Sequence, residues 1–200
     1  CMRIAAVVVT YNRLDTLRRC LAAVAGQQPA APDILVVDNH STDGTAAFLA
    51  EQAAAGRLQY RDTGANIGGA GGFTRGMYEI TEVESEHHAN VLFMDDDILL
   101  EPDSVLRAVA FSRHAREPML VGGQMLSLQV RSQLSTMGEV VDRHRFLWRN
   151  APRTDPHHDL AERPLRQTPW LHRRVDVDYN AWWMCLIPRA VAEDVGLPLP

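Results

Sequence analysis

Three consecutive aspartates, Asp95, Asp96 and Asp97, are the residues of this chain best suited to chemistry. They stand between two apolar runs, residues 91–94 and 98–100. Their hard oxygens suit Mg²⁺ or Mn²⁺ held by one or two carboxylates together with the phosphates of a substrate. Because alternate residues of an extended segment share a face, Asp95 and Asp97 are predicted to face one metal site, with Asp96 turned elsewhere. The alternative is an exposed acidic turn that caps a helix.

The glycine-rich segment 66–76 holds five of the chain's 13 glycines and begins at Asn66. Glycines allow a ligand to approach the backbone closely, and the N-terminus of a following helix offers free N–H groups to an anion. The segment lacks the G-x-G-x-x-G frame, which fails at Thr74, and no Gly-Lys-Ser/Thr follows it. A phosphate-binding loop and a flexible turn with a close-packed helix both remain open interpretations.

Other polar residues follow the apolar runs of the first 40 positions. Thr10 and Arg13 could contact the base and a phosphate of a nucleotide, and Asp38 could accept a hydrogen bond from a ribose hydroxyl or a base N–H. The alternatives are a solvated arginine at a helix end and an aspartate that caps the turn 39–44. The adjacent Trp182 and Trp183 are predicted to point to opposite faces of a strand, leaving one ring to stack on a sugar. Two core or interface aromatics would explain them equally well.

The elements that must position these residues alternate along the chain. Apolar runs predict strands at 4–9, 34–37 and 90–94, and further strands are predicted around 58–61 and over 119–128. Helices are predicted from Asp15 to Gly26, over 45–55, after the glycine-rich loop, and from Pro102 to about Arg116. This alternation predicts an α/β fold with a mostly parallel sheet, in which ligands bind outside the carboxyl ends of the strands.

Composition narrows the classes of function. The 200 residues are 46% hydrophobic and 22% charged, which is enough for one domain with a sizeable core. A net charge of -5 argues against a protein that grips nucleic acid or an anionic membrane through bulk positive charge. The three cysteines are scattered without CxxC spacing, which favours a reducing compartment over a disulfide framework or a zinc site. No apolar run is long enough to span a bilayer.

Four ordered segments carry a resemblance to a known family: Val-Val-Val-Thr-Tyr-Asn-Arg at 7–13, Val-Val-Asp-Asn at 36–39, Asn-Ile-Gly-Gly-Ala-Gly-Gly-Phe at 66–73 and Met-Asp-Asp-Asp at 94–97. Over residues 3–116 the chain resembles the inverting, nucleotide-sugar-dependent family 2 glycosyltransferases of the GT-A fold. Segments 118–125, 137–142 and 176–183 look most like the actinobacterial UDP-galactofuranose-dependent galactofuranosyltransferases that polymerise galactan.

The resemblance implies a role for each candidate residue. Thr10, Arg13, Asp38 and Asn66 would hold the uridine, and Asp96 would contact the donor. Asp95 and Asp97 would hold Mn²⁺ or Mg²⁺ with the diphosphate, and Trp182 and Trp183 would shape the acceptor site. The implied reaction transfers galactofuranose from UDP-galactofuranose to a saccharide or lipid-linked acceptor with inversion. Nucleic acid is not an expected partner, whereas a homo-oligomer and peripheral membrane association through other regions are.

The chain departs from the family at its end. The catalytic aspartate of the look-alike enzymes lies in an acidic Trp-Asp-Asp type motif, and a histidine metal ligand follows it; neither appears before Pro200. The general base is therefore expected beyond Pro200, and the chain is interpreted as a fragment that binds UDP with a metal but turns over poorly.

Residues 1–128 are assigned to the donor and metal core and 129–200 to the acceptor side. A cytoplasmic location, at the inner face of the plasma membrane, is expected. A nucleotidyltransferase and a non-catalytic nucleotide-sugar-binding module are the alternatives.

Overall fold

The computed structural model describes residues 3–83, 88–114, 118–123, 125–126, 134–136, 139–142, 147–150 and 183–196. Strands and helices alternate through the first 122 residues: β1 (Arg3–Thr10), α1 (Leu14–Ala25), β2 (Asp33–Asp38), α2 (Thr45–Ala54), β3 (Gln59–Asp62), α3 (Gly68–Tyr78), β4 (His88–Asp95), α4 (Ser104–Arg113) and β5 (Val121–Gly122). A π-helical turn, Glu79–Val83, extends α3. Later come β6 (Met125–Leu126), β7 (Leu134–Thr136), β8 (Glu139–Asp142), β9 (Leu147–Asn150), β10 (Met184–Pro188) and α5 (Arg189–Val195).

The central sheet has six strands in the order β3-β2-β1-β4-β10-β5. The pairs β2–β3, β1–β2 and β1–β4 are parallel, and β10 runs antiparallel to β4. Helices connect the parallel strands, as βαβ units require. The predicted α/β class with a mostly parallel sheet is confirmed.

The chain separates into two compact units, Cys1–Val121 with Trp182–Pro200, and Gly122–Ala181. Within the second unit, β6 pairs antiparallel with β7, and β8 pairs antiparallel with β9. The domain boundary proposed at residue 128 stays a prediction. None of the helices in the described part of the chain has the length and apolarity to cross a membrane.

The core lies on both faces of the sheet. In β1, Ala6 and Val8 face the cluster that includes Leu17 and Leu21 of α1, whereas Ala5 and Val7 face the cluster that includes α3. All four of these β1 side chains are fully buried, as a continuous apolar run in a central parallel strand predicts. The sheet edge that carries the polar residues is thus fixed by packing on both sides.

The glycine-rich segment is helical from Gly68 onward, so the prediction that a helix only follows a glycine-rich loop is wrong. Helix α3 begins at Gly68 and lies directly against β1. A Cβ atom on Gly72 would stand 2.4 Å from Val9 Cγ1, and one on Gly76 would stand 2.3 Å from Val7 Cγ1. The close-packed helix is therefore the correct interpretation, since glycine alone lets the helix backbone approach the strand this closely.

Several element ends also differ from prediction. Helix α1 begins at Leu14 instead of Asp15, because the Asp43 carboxylate accepts the Leu14 N–H. Helix α4 begins at Ser104 rather than Pro102 and ends at Arg113, and the strand predicted over 119–128 is divided into β5 and β6. Trp183 occupies the turn before β10, outside the strand on which it was predicted to lie.

Candidate active site

Three predicted site residues end neighbouring strands. Thr10, Asp38 and Asp95 are the last residues of β1, β2 and β4. The register pairs Thr10 with Asp38, and Val9 with Asp95, so the three strands end nearly level with one another. This is the edge at which open parallel sheets bind ligands, because the connecting loops diverge there.

Arg13 and Thr10 hold the second aspartate of the triplet. Thr10 Oγ1 donates to Asp96 Oδ2 at 2.6 Å, and Arg13 Nη1 donates to Asp96 Oδ1 at 3.3 Å and to Asp97 Oδ2 at 2.9 Å. The Asp96 side chain is 6% exposed, and that of Asp97 is 48% exposed. The prediction of an extended segment through the triplet is wrong, because β4 ends at Asp95 and a turn carries Asp96 and Asp97. That Asp95 and Asp97 face one metal site stays a prediction.

Burial dominates the electrostatics of this acidic end. Burial, reinforced by the charge of Asp97, raises the pKa of Asp95; burial also raises the pKa of Asp96, against the lowering effect of its bond from Thr10. The Asp96 carboxylate in turn raises the pKa of Arg13. Cys20 lies beside this cluster, with its Sγ 3.6 Å from the Asp95 carbonyl oxygen, and burial raises the pKa of its thiol to about 12. Cys20 is therefore not a nucleophile here.

The triplet can supply part of a metal site. In the described stretches no group of three or more His, Cys, Asp or Glu side chains is arranged to hold a metal ion. Asp95 and Asp97 nevertheless offer only oxygen donors, and the half-exposed Asp97 is open to a ligand from solvent. This donor set fits Mg²⁺ or Mn²⁺ that takes one or two carboxylates and completes its shell with phosphate and water oxygens.

Asp38 is fully buried at the end of β2. Its Oδ1 accepts hydrogen bonds from the backbone N–H of Ser41, at 3.1 Å, and from the Ser41 hydroxyl. Its Oδ2 is also buried, yet it has no hydrogen-bond partner among the described residues. Burial raises the pKa of this carboxyl, and the two Ser41 bonds lower it. The turn-capping role is therefore real, and it uses one of the two carboxylate oxygens.

The remaining predicted residues lie at the margins of this edge. Asn66 precedes α3, and its Oδ1 accepts the Gly68 N–H at 3.0 Å. The Gly68 carbonyl accepts a bond from Asn39 Nδ2 at 3.0 Å, which ties the start of α3 to the end of β2. The Trp183 carbonyl accepts the Asp95 N–H at 3.3 Å, so this tryptophan is adjacent to the acidic turn. Trp182 lies outside the described residues.

Sequence reasoning gave no role to Asn12, which links the loop after β1 to the turn after β2. Asn12 has a left-handed backbone with φ 51°, and its N–H donates to Ser41 Oγ at 2.8 Å. Its side-chain Oδ1 accepts the Thr42 N–H at 2.7 Å. Asparagine adopts positive φ more readily than most residues, so an asparagine directly after a buried strand was the signal available. The neighbouring Tyr11 is 43% exposed and presents an aromatic ring at the same edge.

Comparison with protein families gives a match over most of the chain. The model of glycosyl transferase family 2 matches residues 5–195. The galactofuranosyltransferase GlfT2 of Mycobacterium tuberculosis is 56% identical over 139 residues, which cover 68% of this chain and 22% of that protein. GlfT2 of Mycolicibacterium smegmatis is 44% identical over 208 aligned positions, covering 98% of this chain and 32% of that protein. The chain thus spans about a third or less of the length of these relatives.

Solved structures share the fold at low sequence identity. The mannosyltransferase PcManGT from Pyrobaculum calidifontis, solved with GDP-Man and Mn²⁺, has a TM-score of 0.60 at 14% identity and is matched over 98% of this chain and 47% of its own. Residues 1–349 of S. aureus TarS, solved with UDP, have a TM-score of 0.62 at 16% identity, and the match covers 100% of this chain and 50% of that one. GalNAc-T7, solved with UDP, GalNAc and Mn²⁺, has a TM-score of 0.63 at 16% identity, and the match covers 98% of this chain and 36% of that one. These neighbours establish the predicted GT-A fold.

Proposed function

Because this chain belongs to glycosyl transferase family 2, we propose that it forms the donor- and metal-binding part of a galactofuranosyltransferase. The enzyme would transfer galactofuranose from UDP-galactofuranose to a saccharide or lipid-linked acceptor with inversion. The observation that carries the choice of donor sugar is the 44% identity to GlfT2 over 98% of the chain. The match over residues 5–195 also disfavours the nucleotidyltransferase alternative.

Asp38 is the proposed contact for the uracil base. Its buried Oδ2 needs a hydrogen-bond donor, and the N3–H of uracil is one. In cytosine the equivalent ring nitrogen is an acceptor, which would face the carboxylate without a proton between them. The exposed ring of Tyr11 offers a flat apolar face on which the base could stack.

The diphosphate is assigned to the acidic turn and to Arg13. The Arg13 guanidinium carries the positive charge at this edge and is 55% exposed, so it can reach a phosphate. A divalent cation on Asp95 and Asp97 would offset the negative charge that grows on the departing UDP. Thr10 would keep Asp96 in place, through the 2.6 Å bond between them, while the ligand binds. The general base that takes the acceptor proton is not assigned to a described residue.

Calorimetric titration with UDP, with and without Mn²⁺, tests this proposal. We expect wild-type binding to depend on Mn²⁺, and Asp97→Ala to weaken the metal-dependent binding at least about tenfold because a metal oxygen ligand is lost. Asp103→Ala is the matched control, since Asp103 is a similarly exposed aspartate that pairs with Arg107 on α4. The assignment would be contradicted if wild type bound UDP equally well with and without Mn²⁺, or if neither wild type nor Asp97→Ala bound UDP.

Base preference gives a second, independent prediction. Asp38→Asn should invert the preference from UDP to CDP, with a change of at least about tenfold in the ratio of the two dissociation constants. The reason is that Ser41 donates twice to Oδ1, so the amide nitrogen must take the place of Oδ2 and present N–H groups to the base. Competition titrations of the two nucleotides with saturating Mn²⁺ measure the ratio. An unchanged ratio would mean that Asp38 does not read the base.

A further inference from the structure

Ser41 joins the loop after β1 to the carboxylate that ends β2. Its Oγ accepts the Asn12 N–H at 2.8 Å and donates its one proton to Asp38 Oδ1. Its backbone N–H donates to the same oxygen at 3.1 Å. Because both Ser41 donors converge on Oδ1, they fix the rotation of the carboxylate, and among the described residues no direct hydrogen bond of ordinary geometry reaches Oδ2.

Asn12 holds Ser41 from the other side. Its left-handed backbone, at φ 51°, turns its N–H toward the Ser41 hydroxyl, and its side-chain Oδ1 accepts the Thr42 N–H at 2.7 Å. A left-handed conformation costs about 1 kcal/mol in a residue other than glycine, and the bond to Thr42 offsets part of that cost. The two loops are thereby linked at residues adjacent in sequence to Arg13 and near Asp38.

We propose that Ser41, held by Asn12, is a positioning residue that keeps Asp38 in the orientation and the ionised state needed to accept a hydrogen bond from the nucleotide base. This inference rests on the proposed function, because it assigns a purpose to Oδ2 of Asp38. Ser41 itself would not touch the ligand.

The charges around Asp38 show why such a residue is needed. Burial, followed by the negative charges of Asp62 and Asp43, raises the pKa of Asp38, and the two bonds from Ser41 lower it. Tyr60 on β3 also hydrogen-bonds the Asp38 carboxylate; burial, the charges of Asp38 and Asp62 and this bond raise the pKa of its phenol to about 12, so it stays neutral and acts as a donor. Without the Ser41 hydroxyl, Asp38 would take up a proton at a higher pH and would no longer accept a bond from the base at that oxygen.

The ionisation of Asp38 can be measured without any ligand. We expect a carbon-13 NMR titration of the aspartate carboxyls in the ligand-free chain to show a higher pKa for Asp38 in Ser41→Ala than in wild type, with Asp38→Asn used to assign the resonance. Ser41→Thr keeps the hydroxyl and should restore the wild-type value. An unchanged pKa of Asp38 in Ser41→Ala would overturn the proposal even if UDP binds as proposed.

Nucleotide affinity provides the second measurement. The dissociation constant for UDP with Mn²⁺ is measured at each pH for each protein and divided by the value for Asp38→Asn. In this ratio the effects of phosphate and metal-ligand titration cancel, because they are common to all the proteins. We expect Ser41→Ala to bind about fivefold more weakly than wild type at pH 6, with the gap closing toward pH 8 as Asp38 ionises in both proteins. A loss by the same factor at every pH would indicate a merely structural role and would overturn the proposal. If wild type binds no UDP while the NMR result holds, the proposed function fails and the positioning of Asp38 by Ser41 stands.

Discussion

Gly76→Ala is expected to lower the free energy of unfolding by about 2 to 3 kcal/mol, even though alanine is the better helix former. The added Cβ would stand 2.3 Å from Val7 Cγ1 and 3.4 Å from Val37 Cγ2. Val7 and Val37 are fully buried in neighbouring strands, so neither side chain can move into solvent to make room. Relief would require α3 to move away from the sheet. Urea denaturation of wild type and variant measures the difference.

Gly69→Ala is the matched control in the same helix. A Cβ at Gly69 would meet no atom within 4 Å, and Gly69 has no positive φ, so the change removes only the flexibility of glycine. We expect its free energy of unfolding to stay the same or to rise by up to about 1 kcal/mol. If both variants lost stability equally, glycine flexibility rather than close approach to Val7 would be the reason for the glycines.

The glycines illustrate what the sequence could and could not predict. Their number and position indicated a close backbone approach, but two partners were possible, a phosphate or a neighbouring strand. The structure supplies Val7 and Val9 as partners of Gly76 and Gly72, which are separated from them by more than 60 positions in the chain. Contacts over such distances are not encoded in local spacing. Strands β1, β2 and β4, by contrast, were predictable because each contains a continuous apolar run that is buried in the structure.

At the polar edge of the sheet, too, some features could be predicted from the sequence and others could not. That Thr10, Asp38 and Asp95 lie at one edge follows from apolar runs that end in polar residues, and the register confirms it. The bond from Arg13 to Asp96 could not be predicted, because it depends on where β4 ends and on the position of α1 relative to it. Nor could Ser41 be identified, since its importance lies in contacts to Asn12 and Asp38 made by a turn.

Arg13→Ala is expected to change metal and nucleotide binding in opposite directions. In the ligand-free chain the Arg13 guanidinium lies between Asp96 and Asp97, so a cation already occupies part of the acidic turn. Its removal should strengthen the binding of Mn²⁺ alone about fivefold, because a competing positive charge is lost. It should weaken the binding of UDP with Mn²⁺ by about 30-fold, because a charge-assisted hydrogen bond to the diphosphate is lost.

The opposite changes in Mn²⁺ affinity and UDP affinity distinguish this role of Arg13 from a general electrostatic effect. Arg18→Ala removes the same charge from α1, the helix that directly follows Arg13, but the Arg18 guanidinium lies over the Phe48 ring at 4.8 Å instead of against the acidic turn. This control should leave both affinities within about twofold of wild type, since exposed charges at a distance are screened. Electron paramagnetic resonance of free Mn²⁺ measures the first affinity, and calorimetry with UDP at saturating Mn²⁺ measures the second. If Arg13→Ala weakened the binding of both Mn²⁺ and UDP, the role of Arg13 would be to support the acidic turn and not to compete with the metal. In that case Asp96 and Asp97 would repel each other without the Arg13 charge, and the turn would lose its shape.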